Sequence, residues 1–220
     1  MKKILFILTI FLSTQGFSKI TPRKFDLKEI FIKLKKYNDP TIIRDFYGDF
    51  FKNLRFQNDS IAYFNPNGTL HLFKIKIDST VRVEKLSKSI YHGSTFNRYL
   101  FNNENKIYSF GGEGLWNSCV KLLEFNFKNK EWFNIEIKNF PVDGSKVISS
   151  WLVDNKLKVL ITLNSINKSK KFNFLFGEID MTNFSFKEIG VFKSMNSPDL
   201  SFGNRNIIGE SNRYIIFEYS

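Results

Sequence analysis

The chain reads as all-β, a fold class that rests on three observations. Short runs rich in Phe, Ile, Val and Tyr are punctuated by Asn, Asp, Gly and Ser from about residue 53 onward. In Leu123-Glu124-Phe125-Asn126-Phe127 and Phe133-Asn134-Ile135-Glu136-Ile137 apolar residues alternate with polar ones, which gives each strand one buried face. The third observation is a recurring order of strand, long loop, strand, tight turn and strand. With 220 residues, 42% hydrophobic and 17% aromatic, the chain has ample material for a packed core.

The first element is a leader. Met1-Lys2-Lys3 is a positive n-region, residues 4–12 are an apolar run, and Gly16-Phe17-Ser18 places small residues at the −3 and −1 positions of a cleavage site. A bilayer span takes about 20 apolar residues, so residues 1–18 read as a secretory signal peptide and not as a membrane helix. The expectation is an exported protein, periplasmic, cell-surface or extracellular, with no stable membrane span after cleavage. No Cys stands near the cleavage site to carry a lipid anchor.

Residues 19–52 form an N-terminal helical and linker segment. Asp26 followed by Glu29 resembles a capping arrangement, and Leu27, Ile30, Phe31 and Leu34 share one helical face before Asn38-Asp39-Pro40 stops it.

The body, residues 53–220, repeats. Leu72-Phe73-Lys74-Ile75-Lys76-Ile77-Asp78 is echoed by Leu122-Leu123-Glu124-Phe125-Asn126-Phe127-Lys128 and by Phe174-Leu175-Phe176-Gly177-Glu178-Ile179-Asp180. A shorter strand precedes each, and a fourth copy of that strand runs through Tyr214-Ile215-Ile216-Phe217. The closing residues Phe64, Phe110, Ile161 and Phe217 lie 46, 51 and 56 residues apart, near the about 40 to 50 of a four-stranded propeller blade. A β-propeller is therefore the expected architecture, with blades at about 53–90, 91–140 and 141–195 and an incomplete one at 196–220. A β-sandwich is the alternative.

Three and a half units are few, since propellers usually close with roughly 4 to 8 blades. The simpler expectation is a fragment of a larger propeller; the other is a four-bladed ring in which residues 41–52 supply the missing strands.

In the second unit, Ile107-Tyr108-Ser109-Phe110-Gly111-Gly112, then Leu123-Glu124-Phe125-Asn126, then Trp132 and Ile135 resemble a kelch repeat. The resemblance assigns structural roles to Gly111, Gly112, Phe125 and Trp132: the glycines for backbone conformations closed to other residues and close approach of a neighbouring blade, Trp132 for the space between blades. Asn65-Pro66-Asn67-Gly68 and Thr162-Leu163-Asn164 stand where the other units would carry the glycines, so the likeness is complete in one unit only. Tyr91-His92-Gly93 with residues 111–116 also resembles exported bacterial proteins with kelch-like propellers. Such propellers include copper oxidases, whose centres take several His and Tyr and a modified Cys; two His do not supply them.

Loop length marks one end of the blades as elaborated. The tight connections fall at residues 102–105, 129–130, 154–155 and 181–183, and the long ones at 87–95, 113–118, 139–146, 164–171 and 194–206. Tyr91, His92, Glu113, Trp116 and Asn117 are the ligand-face candidates, because binding residues concentrate on loops carried by a rigid scaffold. Tyr91 and Trp116 packing between blades, with His92 bonding a loop, is an equally simple reading.

Composition limits the chemistry. One Cys and two His cannot build a zinc site, and the chain has no Gly-x-Ser-x-Gly elbow. With His71 expected in mid-strand and His92 in a loop, a Ser-His-Asp constellation has little to build on. Cys119, at the start of a strand, reads as a small buried residue. Gly111-Gly112-Glu113-Gly114 runs from strand to strand and offers no helix N-terminus for a phosphate. Glu113, Asp143 and Asp199 leave a glycosidase-type acid pair open.

The net charge of +12 falls to +10 without Lys2 and Lys3. It accompanies heavy use of Lys, Asn, Ile and Phe together, the pattern an AT-rich coding sequence produces without selection for anion binding. Export further separates the chain from cellular nucleic acid, so none is expected as a partner, although Lys168, Lys170 and Lys171 form a basic loop that could meet anionic polysaccharide or lipid headgroups. The reading is a non-catalytic module that takes a protein or glycan ligand and implies no cofactor. The sensor portion of a longer envelope protein and a carbohydrate-active enzyme are the alternatives.

Overall fold

A computed structural model describes residues 27–37, 53–88, 95–114, 118–141, 146–163, 173–193, 206–210 and 215–218. Among the described residues the fold is all-β apart from helix α1 (Leu27–Lys35). Three four-stranded sheets follow one another along the chain. The first holds β1 (Leu54–Asn58), β2 (Ile61–Phe64), β3 (Phe73–Ile77) and β4 (Val81–Lys85). The second holds β5 (Phe96–Asn103), β6 (Lys106–Glu113), β7 (Ser118–Asn126) and β8 (Glu131–Ile135). The third holds β9 (Lys146–Val153), β10 (Lys156–Leu163), β11 (Asn173–Asp180) and β12 (Ser185–Lys193), and a two-stranded sheet of β13 (Asn206–Glu210) and β14 (Ile215–Glu218) comes last. Every four-stranded sheet is an antiparallel meander whose spatial order is its sequence order.

The tight turns have local causes. Glu104 and Asn105 between β5 and β6, and Asp154 and Asn155 between β9 and β10, all have positive φ. Two such residues make the hairpin turn whose twist matches the flanking strands, and Asn and Asp tolerate it best. After the third strand of each sheet an Asx side chain folds the chain back: Asp78 accepts from the Thr80 N–H at 3.0 Å, Asn126 from Lys128 at 2.9 Å and Asp180 from Thr182 at 2.9 Å. These turns align Asp78 with Asn126 and Asp180. The middle sequence echo, which set Lys128 beside Asp78, is therefore displaced by two residues, one full strand period, and keeps its faces.

The sheets pack in series. Tyr63, Leu72 and Leu86 of the first region meet Leu100, Ile107 and Phe125 of the second in one cluster. On the other side of the second sheet, Phe101, Tyr108, Phe110 and Leu122 meet Leu157, Val159, Ile161, Leu175 and Ile179 of the third. The second sheet is thus buried on both faces. This corrects the single buried face expected around Leu123 to Phe127: Leu122 and Phe125 are both buried, into different clusters, while Phe127 lies beyond the strand and is exposed. α1 lays Ile30 and Leu34 on the first sheet's remaining face, against Leu54, Ala62, Phe64, Phe73 and Val81.

His71 is also corrected. It precedes β3 instead of lying in mid-strand, because the Asn65 side-chain amide takes the carbonyls of His71 at 2.7 Å and Thr69 at 3.1 Å and holds this stretch as a loop. No described helix is long and apolar enough to cross a membrane.

First strands neighbour one another across sheets. Asn102 donates its side-chain amide to the Phe56 carbonyl at 3.0 Å, the Arg55 guanidinium lies 5.0 Å from the centre of the Tyr99 ring, and the Tyr99 hydroxyl accepts from the Leu152 N–H at 3.4 Å. Their ends are tied too: Gln57, near the end of β1, bonds Asn105 of the β5–β6 turn at 3.3 Å, and Asn155 of the β9–β10 turn bonds the Glu104 carboxylate at 2.7 Å.

Candidate functional site

At the opposite end of the first two sheets, the β2–β3 loop meets the start of β5. The Gly68 N–H donates to the Thr95 carbonyl at 3.2 Å, and the Asn97 N–H donates to the Asn67 side-chain oxygen at 2.8 Å. Asn97 has φ 55, which turns its side-chain amide onto the Glu113 carboxylate at 3.3 Å. Asn67, Asn97 and Glu113 therefore form a polar chain across the junction of two sheets. Phe96 lies beside it, 39% exposed, with its ring against Gly68, where a Cβ would come within 2.6 Å of Phe96 Cε1. An amide, a carboxylate and an open aromatic ring can bind hydroxyl or peptide groups beside an apolar patch.

Gly111 and Gly112 shape the strand that carries Glu113. Their φ values are 81 and 125, and the β6–β7 register slips between Gly111 and Glu113. A Cβ on Gly111 would stand 3.3 Å from Val147 of the third sheet. Arg98, paired across the ladder from Gly111, is buried and donates to the Ser109 hydroxyl at 2.8 Å, the Ser109 carbonyl at 2.8 Å, the Lys121 carbonyl at 3.0 Å and the Gly111 carbonyl. The guanidinium fork crosses β5, β6 and β7 beneath the site and holds the bulge that places Glu113. Sequence reasoning passed over Arg98, Asn97 and Asn67; the available signal was Arg98 standing opposite the double glycine in the hairpin register.

Of the sequence-derived ligand-face residues, Glu113 falls in this cluster, while Tyr91, His92, Trp116 and Asn117 lie outside the described residues, as do Asp143, Asp199, Lys168, Lys170, Lys171 and the Cys119 side chain. The segments 89–94 and 115–117 are flanked by Thr95 and by Glu113 and Gly114. Phe125 and Trp132 sit between sheets: their rings are 5.2 Å apart, and the Trp132 indole donates to the Leu70 carbonyl at 2.8 Å.

Three carboxylates away from this cluster are held below their ordinary range. Lys158 and then Lys156 act on Glu178, the Thr80 N–H and Arg82 on Asp78, and Thr182 on Asp180. Burial raises the Tyr108 phenol, assisted by the nearby Glu124 carboxylate, and burial raises Tyr63. All of these belong to strand faces and tight turns. Among the described residues no group of three His, Cys, Asp or Glu is placed to hold a metal ion. Comparison with known proteins found no family that matches this chain and no curated protein that matches it in sequence.

Proposed function

We propose that the chain is an exported, kelch-like β-propeller that serves as a binding module, with a protein or glycan ligand taken on the long-loop end of its blades. The observation that carries this reading is the Asn67–Asn97–Glu113 chain: it joins loop and strand residues of two consecutive sheets at the end where the longer connections emerge. Three further features support it. The sheets share one topology, their first strands neighbour one another as strands around an axis would, and the opposite end is closed by short turns and strand ends bonded to one another. Export rests on residues 1–18, and the kelch likeness on Gly111, Gly112, Phe125 and Trp132.

The test is a binding screen of the mature chain, from residue 19, against a glycan array and against immobilised envelope and matrix proteins. Glu113→Gln, Trp116→Ala and His92→Ala are then compared with Asn129→Ala on the tight-turn end. The reading predicts that at least one long-loop variant weakens the detected ligand about tenfold or more while Asn129→Ala leaves it unchanged. Equal binding by all folded variants, or loss confined to Asn129→Ala, overturns it. Cleavage of a bound glycan would instead assign the carbohydrate-active alternative.

A further inference from the structure

The outer strand of a sheet presents a row of unpaired N–H and C=O groups that another strand can use. In β4 that row belongs to Val81, Val83 and Lys85, and α1 with its trailing turn occupies it through side chains. Glu29 accepts the Val81 N–H at 3.2 Å; the Tyr37 hydroxyl donates to the Val83 carbonyl at 3.1 Å and accepts the Lys85 N–H at 3.2 Å. Ile30 and Leu34 anchor the helix in the sheet's core, and Tyr37 meets Phe73 edge-on at 5.1 Å. Two polar side chains on one short helical segment thus take three main-chain groups spaced along a single strand edge.

The sequence of that edge fits itself. In an antiparallel pairing of two β4 strands about Val83, Arg82 of one copy stands opposite Glu84 of the other, twice, and Val83 faces Val83. Arg82 and Glu84 are both exposed, on the face of β4 away from α1. Three of the outward groups that such a pair would use, the Val81 and Lys85 N–H and the Val83 carbonyl, are the ones Glu29 and Tyr37 now hold.

We propose that the β4 edge is a dimerisation edge for a second copy of this chain, held shut by α1. The helix acts as a surrogate strand; displacing its polar contacts opens a self-complementary edge. This inference is independent of the ligand face.

The experiment is sedimentation velocity over a concentration series on the mature chain, its Glu29→Ala/Tyr37→Phe variant, and the same variant with Val83→Pro. The proline removes an outward N–H from an edge strand without touching the β3 ladder. Wild type is expected to sediment as a monomer, the double variant to dimerise with a dissociation constant lower by about tenfold or more, and the triple variant to return to monomer. A folded double variant that stays monomeric, a dimer that persists with Val83→Pro, or a wild-type dimer at the same concentrations overturns the proposal. Should circular dichroism show the double variant unfolded, Tyr37→Phe alone, which keeps Glu29, Ile30 and Leu34, carries the same expectation, and its remaining monomeric overturns the proposal equally.

Discussion

The indole of Trp132, on the outermost strand of the second sheet, donates a hydrogen bond of 2.8 Å to the main-chain oxygen of Leu70, in the loop of the first. One side chain therefore joins two successive sheets both by ring packing on Phe125 and by a directed bond to a loop carbonyl. Trp132→Phe should keep most of the packing and lose the bond, at about 1 kcal/mol. Trp132→Ala should lose both, at about 3 kcal/mol. Urea unfolding followed by circular dichroism separates the two, and a Trp132→Phe variant as stable as wild type would show that the bond contributes nothing.

Gly111 combines a positive φ with the approach of Val147. Gly111→Ala should cost about 2 kcal/mol, part from the backbone and part from the contact. Adding Val147→Ala should recover the contact part and leave about 1 kcal/mol. Denaturation midpoints of the single and double variants test this, and complete recovery would place the whole cost in the contact.

Arg98 is a buried cation that donates to the Ser109 hydroxyl and to the carbonyls of Ser109, Gly111 and Lys121. Arg98→Met leaves those carbonyls and the Ser109 hydroxyl facing an apolar chain and should destabilise by about 3 kcal/mol. Arg98→Lys keeps the charge without the planar fork and should fall between, at about 2 kcal/mol. Thermal unfolding of the two variants gives the order, and Arg98→Lys behaving as wild type would refute the role of the fork.

Glu178 gives a pH-dependent prediction. Lys158 and Lys156 hold its carboxylate below the ordinary value of 4.5, so the unfolded chain takes up the proton more readily than the folded one. The stabilisation is full above that value and is lost as pH falls through the lower, folded one. Glu178→Gln should therefore lose about 1 kcal/mol at neutral pH and converge on wild type as the pH falls through the lowered, folded-state value. Chemical denaturation at neutral pH and through a descending acid series checks the sign; a constant difference would remove the ion pairs as its cause.

Much of the fold is legible in the sequence because strand alternation and Asx or Asn-containing turns are local. Ile61 to Phe64 marks β2 to the residue, and Asp154-Asn155 marks the hairpin turn between β9 and β10. What the sequence conceals is non-local. Leu122 and Phe125 lie three residues apart yet serve different clusters, which follows only once a sheet is known to have another on each side. Arg98 reads as a surface residue until the register sets it across from Gly111. His71 fits a strand pattern until the Asn65 amide takes its carbonyl. Glu113 was legible from loop length, whereas its partners Asn67 and Asn97 come from another sheet and from a strand start.

The proposed radial arrangement of the three sheets can be read out with paired cysteines. In a Cys119→Ser background, Gln57→Cys/Asn105→Cys and Glu104→Cys/Asn155→Cys link the ends of successive first strands, now bonded at 3.3 Å and 2.7 Å. Glu84→Cys/Asn134→Cys joins the outermost strands of the first two sheets. Sheets that diverge from an axis are expected to form rapid intramolecular disulfides at the first two pairs and none at the third. Equal cross-linking at the third pair would mean sheets stacked without divergence and would contradict the radial arrangement.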